Sequence, residues 1–161
     1  DFDMWPELSR TIIVLIMFIG ACAGSTGGGI KVSRIIILFK SMAKELSVMI
    51  HPKQVRKITV DSHAIDHETV RSVNVYMVCY IMVFVISMGV MSFDNYDLIT
   101  NFTAVAATLN NVGPGLEMVG PIQNFGFMSS PTKLILIFDM LAGRLELFPM
   151  LLLFAPATWK K

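Results

Sequence analysis

Apolar residues in this chain are gathered into long blocks instead of recurring at the spacing of an amphipathic surface helix. The clearest block, residues 73–93, contains one Asn and no charged side chain. At about 1.5 Å per residue, a helix of this length crosses a hydrocarbon core of roughly 30 Å. The block therefore predicts a membrane-spanning helix, with bounds at residues 72–93.

Two further blocks depart from this pattern. Residues 134–154, within a predicted span at 132–155, are long enough to cross, but they carry Asp139, Arg144 and Glu146. They cross a membrane only if these charges face protein or water. The N-terminal block, within residues 1–50, is interrupted by the glycine-rich string GACAGSTGGGIK. This string predicts a spanning helix that is broken in its middle.

A shorter apolar segment, residues 98–109, cannot span a bilayer and is typical of a re-entrant helix. The string NNVGPG follows it directly. The order of spanning helix, re-entrant helix, glycine-containing loop and spanning helix is typical of a pore module. We therefore predict an all-α integral membrane protein, in which one pore-type repeat follows a broken transmembrane helix.

Composition and charge support a membrane location. Of all residues 54% are hydrophobic and 16% are charged, proportions that are rare in soluble domains. Residues 51–71 are rich in Lys and Arg, whereas residues 72–132 contain neither. By the positive-inside rule the connector 51–71 is cytoplasmic, and so is the C-terminus at Trp159, Lys160 and Lys161. We predict a multi-pass protein of the inner (cytoplasmic) membrane, with lipid and not nucleic acid as a partner.

The glycine-rich string fits a hydrated pathway better than a phosphate site. A Walker A loop needs GxxxxGK before Ser or Thr, and here Ile30 puts the lysine, Lys31, one place late. At bilayer depth irregular backbone is tolerated only where it faces water or protein, because unpaired peptide groups are costly there. The string therefore predicts a polar lining. Close helix packing through Gly20 and Gly24 is the alternative.

The NNVGPG string allows two interpretations. Asn and Gly before Pro are common in ordinary turns. In this position, however, the re-entrant helix directs its partly negative C-terminus at the pore, which favours cations. Carbonyl groups of Asn110, Asn111 and Val112, with Gly113 allowing an unusual φ, would replace part of a K⁺ hydration shell. We predict a filter over residues 110–114, with K⁺ at Asn111 and Val112.

Arg144 would lie deep in its span, on the order of 15 Å from the end, where a charge needs a partner. Asp139 and Glu146 are five and two positions away and share its helical face poorly. We expect a partner on another element, and the carbonyl groups of the glycine-rich string are natural acceptors. Arg144 would then be a latch on that string. A buried ion pair with a purely structural role is the alternative.

A metal site is the other possible chemistry. His63 and His67 are spaced i, i+4, which formally permits a helical zinc site, although a solvated surface is the preferred interpretation. The alternative function is therefore a membrane-embedded metal-binding protein or enzyme that uses these histidines with Asp139, Arg144 and Glu146. A structural membrane scaffold is a third possibility. No covalently bound cofactor is predicted.

Three strings resemble the Trk/Ktr potassium transporter family. They are FIGACAGSTGGGIKVSRIIILFK, ATLNNVGPGLE and LAGRLELFPMLLLFAPATW, and they follow the C-terminal part of the family in order. The resemblance implies four pore-type repeats around one central path. Residues 1–50 then look like the second membrane helix of repeat three, residues 51–71 like a cytoplasmic connector, and residues 72–161 like repeat four.

The resemblance also implies roles for single residues. Residues 21–30 match an intramembrane gating loop below the filter, and residues 110–113 match one of four filter strands. Arg144 matches the arginine of the family's GRLE string, which contacts the gating loop. The gating-loop residues are Ala23, Gly24, Ser25, Thr26, Gly27, Gly28 and Gly29.

The function that the resemblance implies is K⁺ uptake by a pore-forming subunit, with K⁺ as the transported ion. It further implies a homodimer regulated by cytosolic nucleotide-binding subunits, to which the basic residues 40–71 would offer contacts. Two positions differ from the family pattern. The family often has glycine where Glu117 stands and a neutral residue where Asp139 stands.

Overall fold

The computed structural model describes residues 1–22, 24–25, 27–51, 58–60, 63–145 and 147–153, and this part of the chain is mostly helical. In chain order the elements are α1 (Glu7–Ile19), α2 (Val32–Ile50), β1 (Thr59–Val60), β2 (His63–Ala64), α3 (His67–Met91), α4 (Leu98–Leu109), α5 (Ser130–Leu145) and α6 (Leu147–Leu153). Short 3-10 turns lie at Phe2–Met4, Ser92–Asp94, Glu117–Val119 and Phe125–Phe127.

The break between α1 and α2 begins and ends in left-handed backbone. Gly20 has a φ of 69° and Lys31 a φ of 66°. The two ends lie side by side, because Val32 N–H donates to the carbonyl oxygen of Ala21 at 3.0 Å. A Cβ on Gly20 would lie only 3.0 Å from the Lys31 nitrogen, so glycine permits this close approach. Residues 21–30, hereafter the glycine segment, therefore connect two helices whose adjoining ends are hydrogen bonded to each other.

α3 and the 3-10 turn after it, His67–Asp94, form the one helical stretch in the described residues that is long and apolar enough to cross a membrane. Its inward side carries the buried residues Val73, Tyr76, Tyr80, Val83, Ser87 and Met91. Its outward side is apolar as well, with the exposed residues Val75, Val78, Ile81, Met82, Val85 and Ile86. A helix that is apolar all round is typical of a membrane span or of a deeply buried core.

α4 is the central helix, with α1, α3 and α5 packed around it. It begins at Leu98 because the carboxylate of Asp97 accepts a hydrogen bond from Ile99 N–H at 3.0 Å and so caps the first turn. Residues 103–109 are all buried. α4 covers the segment for which a re-entrant helix was predicted, and its depth in a membrane stays a prediction.

The prediction of an all-α chain missed a short hairpin in the connector. β1 and β2 pair antiparallel, with Thr59 opposite Ala64 and Val60 opposite His63. Nζ of Lys40 on α2 donates to the carbonyl oxygen of Thr59 at 2.6 Å and ties the hairpin to that helix. Strands of two residues contain too little alternation to be recognised in a sequence.

Two helices begin earlier than the sequence suggested. α3 starts at His67, within the predicted connector, because the carboxylate of Asp66 accepts a hydrogen bond from His67 N–H at 2.8 Å. α5 starts at Ser130, ahead of the predicted residue 132. Part of the connector, the last residues of the predicted span 132–155 and the basic C-terminus lie outside the described residues.

Candidate functional site

The C-terminal end of α4 is closed by a Schellman motif. Asn111, at a φ of 54°, donates its N–H to the carbonyl oxygen of Thr108 at 3.1 Å, and Val112 N–H donates to that of Ala107 at 2.9 Å. Asn suits this position because its short polar side chain tolerates left-handed backbone. Carbonyl groups in the last turn of α4 are therefore occupied, so the helix end offers fewer acceptors to an ion than we expected from the sequence.

The NNVGPG loop, residues 110–115, is anchored at its far end to the side of α4. Leu116 N–H donates to Oγ1 of Thr103 at 3.0 Å, and Gly115 N–H donates to the carbonyl oxygen of Val119 at 2.8 Å. The loop thus leaves α4 at the helix end and returns to it near the middle. The backbone between these anchors includes Gly113, which has a φ of 119°.

The glycine segment lies directly against the start of the NNVGPG loop. A Cβ on Gly28 would lie 2.7 Å from Nδ2 of Asn111, and a Cβ on Gly29 would lie 2.8 Å from Oδ1 of Asn110. Gly29 also has a φ of 84°, which side chains disfavour. Both glycines are therefore required by the contact, and a larger residue at either position would push the loop away.

A cavity of about 340 Å³ lies between the glycine segment, the loop and α1. Its walls include Gly27 and Gly28 from the glycine segment, Asn111 and Val112 from the loop, and Met17 from α1. Three of the predicted filter residues, Asn110, Asn111 and Val112, and two of the predicted gating residues thus line one space. Ala23 and Thr26, which were also predicted to belong to the gating loop, lie outside the described residues.

α5 also supports the loop. Nδ2 of Asn111 donates to the carbonyl oxygen of Met140 at 3.1 Å. One turn further along α5, Gly143 packs so tightly that a Cβ there would overlap the carbonyl oxygen of Leu109. The amide side chain of Asn111 is therefore held by α5.

Arg144 follows Gly143 at the C-terminal end of α5. Its side chain is exposed, and it forms no hydrogen bond or ion pair with any residue that the structure describes. Glu146, one of its two possible partners in sequence, lies outside the described residues. The other, Asp139, is fully buried and accepts a hydrogen bond from Oγ of Ser87 on α3 at 2.8 Å.

Glu117, the second departure from the family pattern, lies at the opposite end of the loop. Its carboxylate forms an ion pair with Arg10 of α1 at 2.5 Å, and its N–H donates to Oδ1 of Asp3 at 3.1 Å. Glu117 therefore joins the segment after the loop to the start of α1.

The histidines do not converge with other metal ligands. His63 lies on β2 and His67 begins α3, so the i, i+4 helical spacing assumed for a zinc site does not exist. Within the described ranges no group of three or more His, Cys, Asp or Glu side chains is placed to hold a metal ion.

Two residues of the site were missed in the sequence. Tyr76 and Tyr80, one turn apart on α3, place their hydroxyl groups at the glycine segment and at Asn110. Their signal was a pair of phenol groups, spaced i, i+4, inside an otherwise uncharged apolar block. A buried tyrosine hydroxyl normally has a hydrogen-bond partner, so such a pair points to polar groups packed against that helix.

Comparison with known proteins gives one consistent result. A family model described as TrkH, cation transport protein, matches residues 1–161. The Trk system potassium uptake protein TrkH of Salmonella typhimurium is 41% identical over 157 residues, which are 98% of this chain and 32% of that protein. The protein of the same name from Vibrio parahaemolyticus is 42% identical over 99% of this chain and 32% of its own length.

A solved structure agrees with the sequence comparison. The crystal structure of the potassium transporter TrkH from Vibrio parahaemolyticus superposes with a TM-score of 0.87 at 41% identity, covering 99% of this chain and 34% of that chain. The chain described here thus spans about a third of the length of these relatives.

Proposed function

Because the chain belongs to the TrkH family of cation transport proteins, we propose that it is part of a K⁺ uptake protein of the inner membrane and forms one wall of its ion path. The observation that carries the proposal is the contact of Gly28 with Asn111 and of Gly29 with Asn110. A glycine-rich backbone segment placed directly against a carbonyl-rich loop is the arrangement that a gate below a filter requires. The role is transport and not enzymatic catalysis.

The filter would be formed by backbone carbonyl groups of Asn110, Asn111, Val112 and Gly113, with K⁺ held at Asn111 and Val112. Positive φ values at Asn111 and Gly113, on either side of Val112, support this assignment. Left-handed backbone at every second residue turns alternate peptide planes over, which brings carbonyl groups to one side of the chain. Carbonyl groups on one side can replace part of the water around a K⁺ ion.

The repeat architecture follows from the same assignment. α3, α4, the NNVGPG loop and α5 would form one complete pore-type repeat, with α6 extending its last helix. α1, the glycine segment and α2 would form the broken last helix of the preceding repeat. The burial of α4 among three helices supports its role as a pore helix. A helix too short to span the membrane is tolerated at this depth where protein surrounds it.

The glycine segment would be the gate, and Arg144 its latch. Glycine allows the segment to change conformation at low cost, and its two ends stay tied through Ala21 and Val32 while the middle moves. The side chain of Arg144 follows the tightly packed Gly143, so it projects from a point on α5 that is fixed against the filter loop. A side chain that holds the glycine segment in place must be attached to backbone that does not move relative to the filter loop.

Assembly would involve a second copy of the protein and cytosolic nucleotide-binding regulatory subunits, with lipid around the apolar surface. The exposed apolar side of α3 supports contact with lipid or with another helix. Lys40 and Lys44, on the connector side of α2, are basic groups that a cytosolic subunit could contact.

The experiment replaces Gly113 in the full-length protein that contains this chain. Gly113→Ala is expected to lower K⁺ uptake into cells or proteoliposomes about tenfold, because forcing alanine into this backbone costs about 1–3 kcal/mol. Gly89→Ala is the matched control, since Gly89 lies within α3, has open space around it and has no positive φ. Equal uptake by both variants, or uptake that depends on His63 and His67 instead, would contradict the proposal.

A further inference from the structure

Two tyrosines of α3 lie where the glycine segment meets the NNVGPG loop. Tyr76 and Tyr80 are each 4% exposed, and their rings stack with centroids 6.4 Å apart. A buried phenol hydroxyl needs a hydrogen-bond partner, because leaving it unpaired costs its full desolvation. Each hydroxyl finds its partner on a different segment of the proposed ion path.

Tyr76 reaches the glycine segment. Its hydroxyl donates to the carbonyl oxygen of Gly29 at 3.3 Å. Its ring is held from two sides, since the guanidinium carbon of Arg34 on α2 lies 3.9 Å from the ring centroid and the Phe148 ring of α6 meets it edge-on at 5.8 Å. The hydroxyl therefore extends from a ring that three helices hold in place.

Tyr80 reaches the loop. Its hydroxyl donates to Oδ1 of Asn110 at 3.0 Å, and Nδ2 of the same amide donates to the carbonyl oxygen of Ala106 at 2.9 Å. Asn110 is 4% exposed, and both ends of its amide are hydrogen bonded. These bonds fix the side chain and the backbone to which it is attached. Gly29 packs against the same amide oxygen, so both tyrosines act on one contact.

We propose that Tyr76 and Tyr80 are positioning residues of the ion path, with separate effects on gate and filter. Tyr76 restrains the glycine segment against the loop, and Tyr80 sets the geometry of the filter strand at its first residue. The inference rests on the proposed function and adds to it a role for α3, which holds both the glycine segment and the NNVGPG loop through these hydroxyl groups. The two residues can be tested separately, because the Tyr76 hydroxyl donates to Gly29 and the Tyr80 hydroxyl donates to Asn110.

The test uses Tyr→Phe substitutions in the full-length protein, reconstituted in proteoliposomes, with Rb⁺ tracer uptake and Na⁺ competition as readouts. Tyr76→Phe is expected to raise tracer flux about twofold to tenfold, the effect of losing one hydrogen bond, with the preference over Na⁺ unchanged. Tyr80→Phe is expected to lower the preference for Rb⁺ over Na⁺ by a similar factor of about twofold to tenfold, without raising flux.

Tyr96→Phe is the matched control. Its hydroxyl donates to the carbonyl oxygen of Phe127 at 3.1 Å, away from the glycine segment, and its loss is expected to change neither readout. The thermal unfolding temperature in detergent is measured for all three variants. An aggregated Tyr76→Phe or Tyr80→Phe protein would contradict the inference, because the hydroxyl would then support the fold and not the ion path.

The two hypotheses fail in different ways. If the unsubstituted protein takes up no tracer, the proposed function is wrong. If it takes up tracer and Tyr76→Phe leaves the flux unchanged, or if Tyr80→Phe leaves ion preference unchanged, the inference is overturned while the proposed function stands. If Tyr96→Phe has the same effects as the other two, the positions have no specific role.

Discussion

Close packing against glycines distinguishes the residues at the centre of the site. Gly28, Gly29 and Gly143 each occupy a place where a Cβ would meet an atom of residues 109–111. The two asparagines next to them use their side chains to hold position, because both amides are hydrogen bonded to the surrounding helices. The site therefore depends on small residues that let neighbouring segments approach residues 109–111 closely.

Gly143 provides the sharpest test at this scale. Gly143→Ala is expected to lower the free energy of unfolding by about 1–3 kcal/mol, because the added methyl group would displace the carbonyl oxygen of Leu109 from a well-packed position. Potassium uptake should fall as well, because the proposed filter begins at Asn110, the residue after Leu109. Thermal unfolding in detergent and tracer uptake are the measurements.

The control for this prediction is another glycine in a helix. Gly89→Ala, in open space on α3, is expected to leave stability unchanged or raise it by up to about 1 kcal/mol, because alanine is the better helix former. If Gly143→Ala is as stable as Gly89→Ala, the tight contact between α5 and the loop does not matter.

At the level of elements, α4 connects the loop to the core through polar groups that are buried. Thr103 and Thr100 lie almost one turn apart on this helix and are each at most 1% exposed. Their hydroxyl groups have different surroundings: Oγ1 of Thr103 accepts a hydrogen bond from Leu116 N–H, whereas Oγ1 of Thr100 has no hydrogen-bond partner among the described residues. The anchoring of the loop thus rests on one hydroxyl of the pair.

Replacing each threonine with valine separates these roles, because valine keeps the shape and removes the hydroxyl. Thr103→Val is expected to destabilise the protein by about 1–3 kcal/mol, since it leaves the buried N–H of Leu116 unpaired. Thr100→Val should be neutral or stabilising, because a hydroxyl without a partner is costly to bury. Equal thermal unfolding temperatures for the two variants would show that the loop has no such anchor.

At the level of the whole molecule, the described helices leave several apolar surfaces uncovered, and the side chain of Arg144 is exposed. The exposed side of α3 and the side chain of Arg144 both face away from the core. Because the chain spans about a third of its relatives, partners of these groups are to be sought in the complete assembly.

Arg144→Gln in the full-length protein is expected to raise K⁺ flux about tenfold if the proposed latch is one hydrogen bond from Arg144 that forms in the complete protein. Arg71→Gln, which removes the same charge from an exposed position on α3, is the control and should leave flux unchanged. Tracer uptake in proteoliposomes measures both. Unchanged flux in Arg144→Gln would contradict the latch role of Arg144. Of the two restraints on the glycine segment that we propose, Tyr76 would then remain.

Much of the element order could be read in the sequence. The uncharged block around residues 73–93 marks α3, and the interruption by consecutive glycines marks the break between α1 and α2. Both signals are local, because backbone hydrogen bonding in an apolar environment forces helices and glycine interrupts them. The hairpin β1–β2 was missed, and the early starts of α3 and α5 were misjudged, because short strands and caps depend on few residues.

Which residues meet was decided by the tertiary structure. The sequence determined by itself that an interrupted helix and a glycine-containing loop exist, since propensity and hydropathy act on neighbours in the chain. It did not bring Gly28 to Asn111, Tyr76 to Gly29 or Met140 to Asn111, because contacts between distant segments depend on how helices pack. Packing likewise left the side chain of Arg144 exposed. The hydrogen bonds that close the end of α4, in contrast, are local ones donated by Asn111 and Val112.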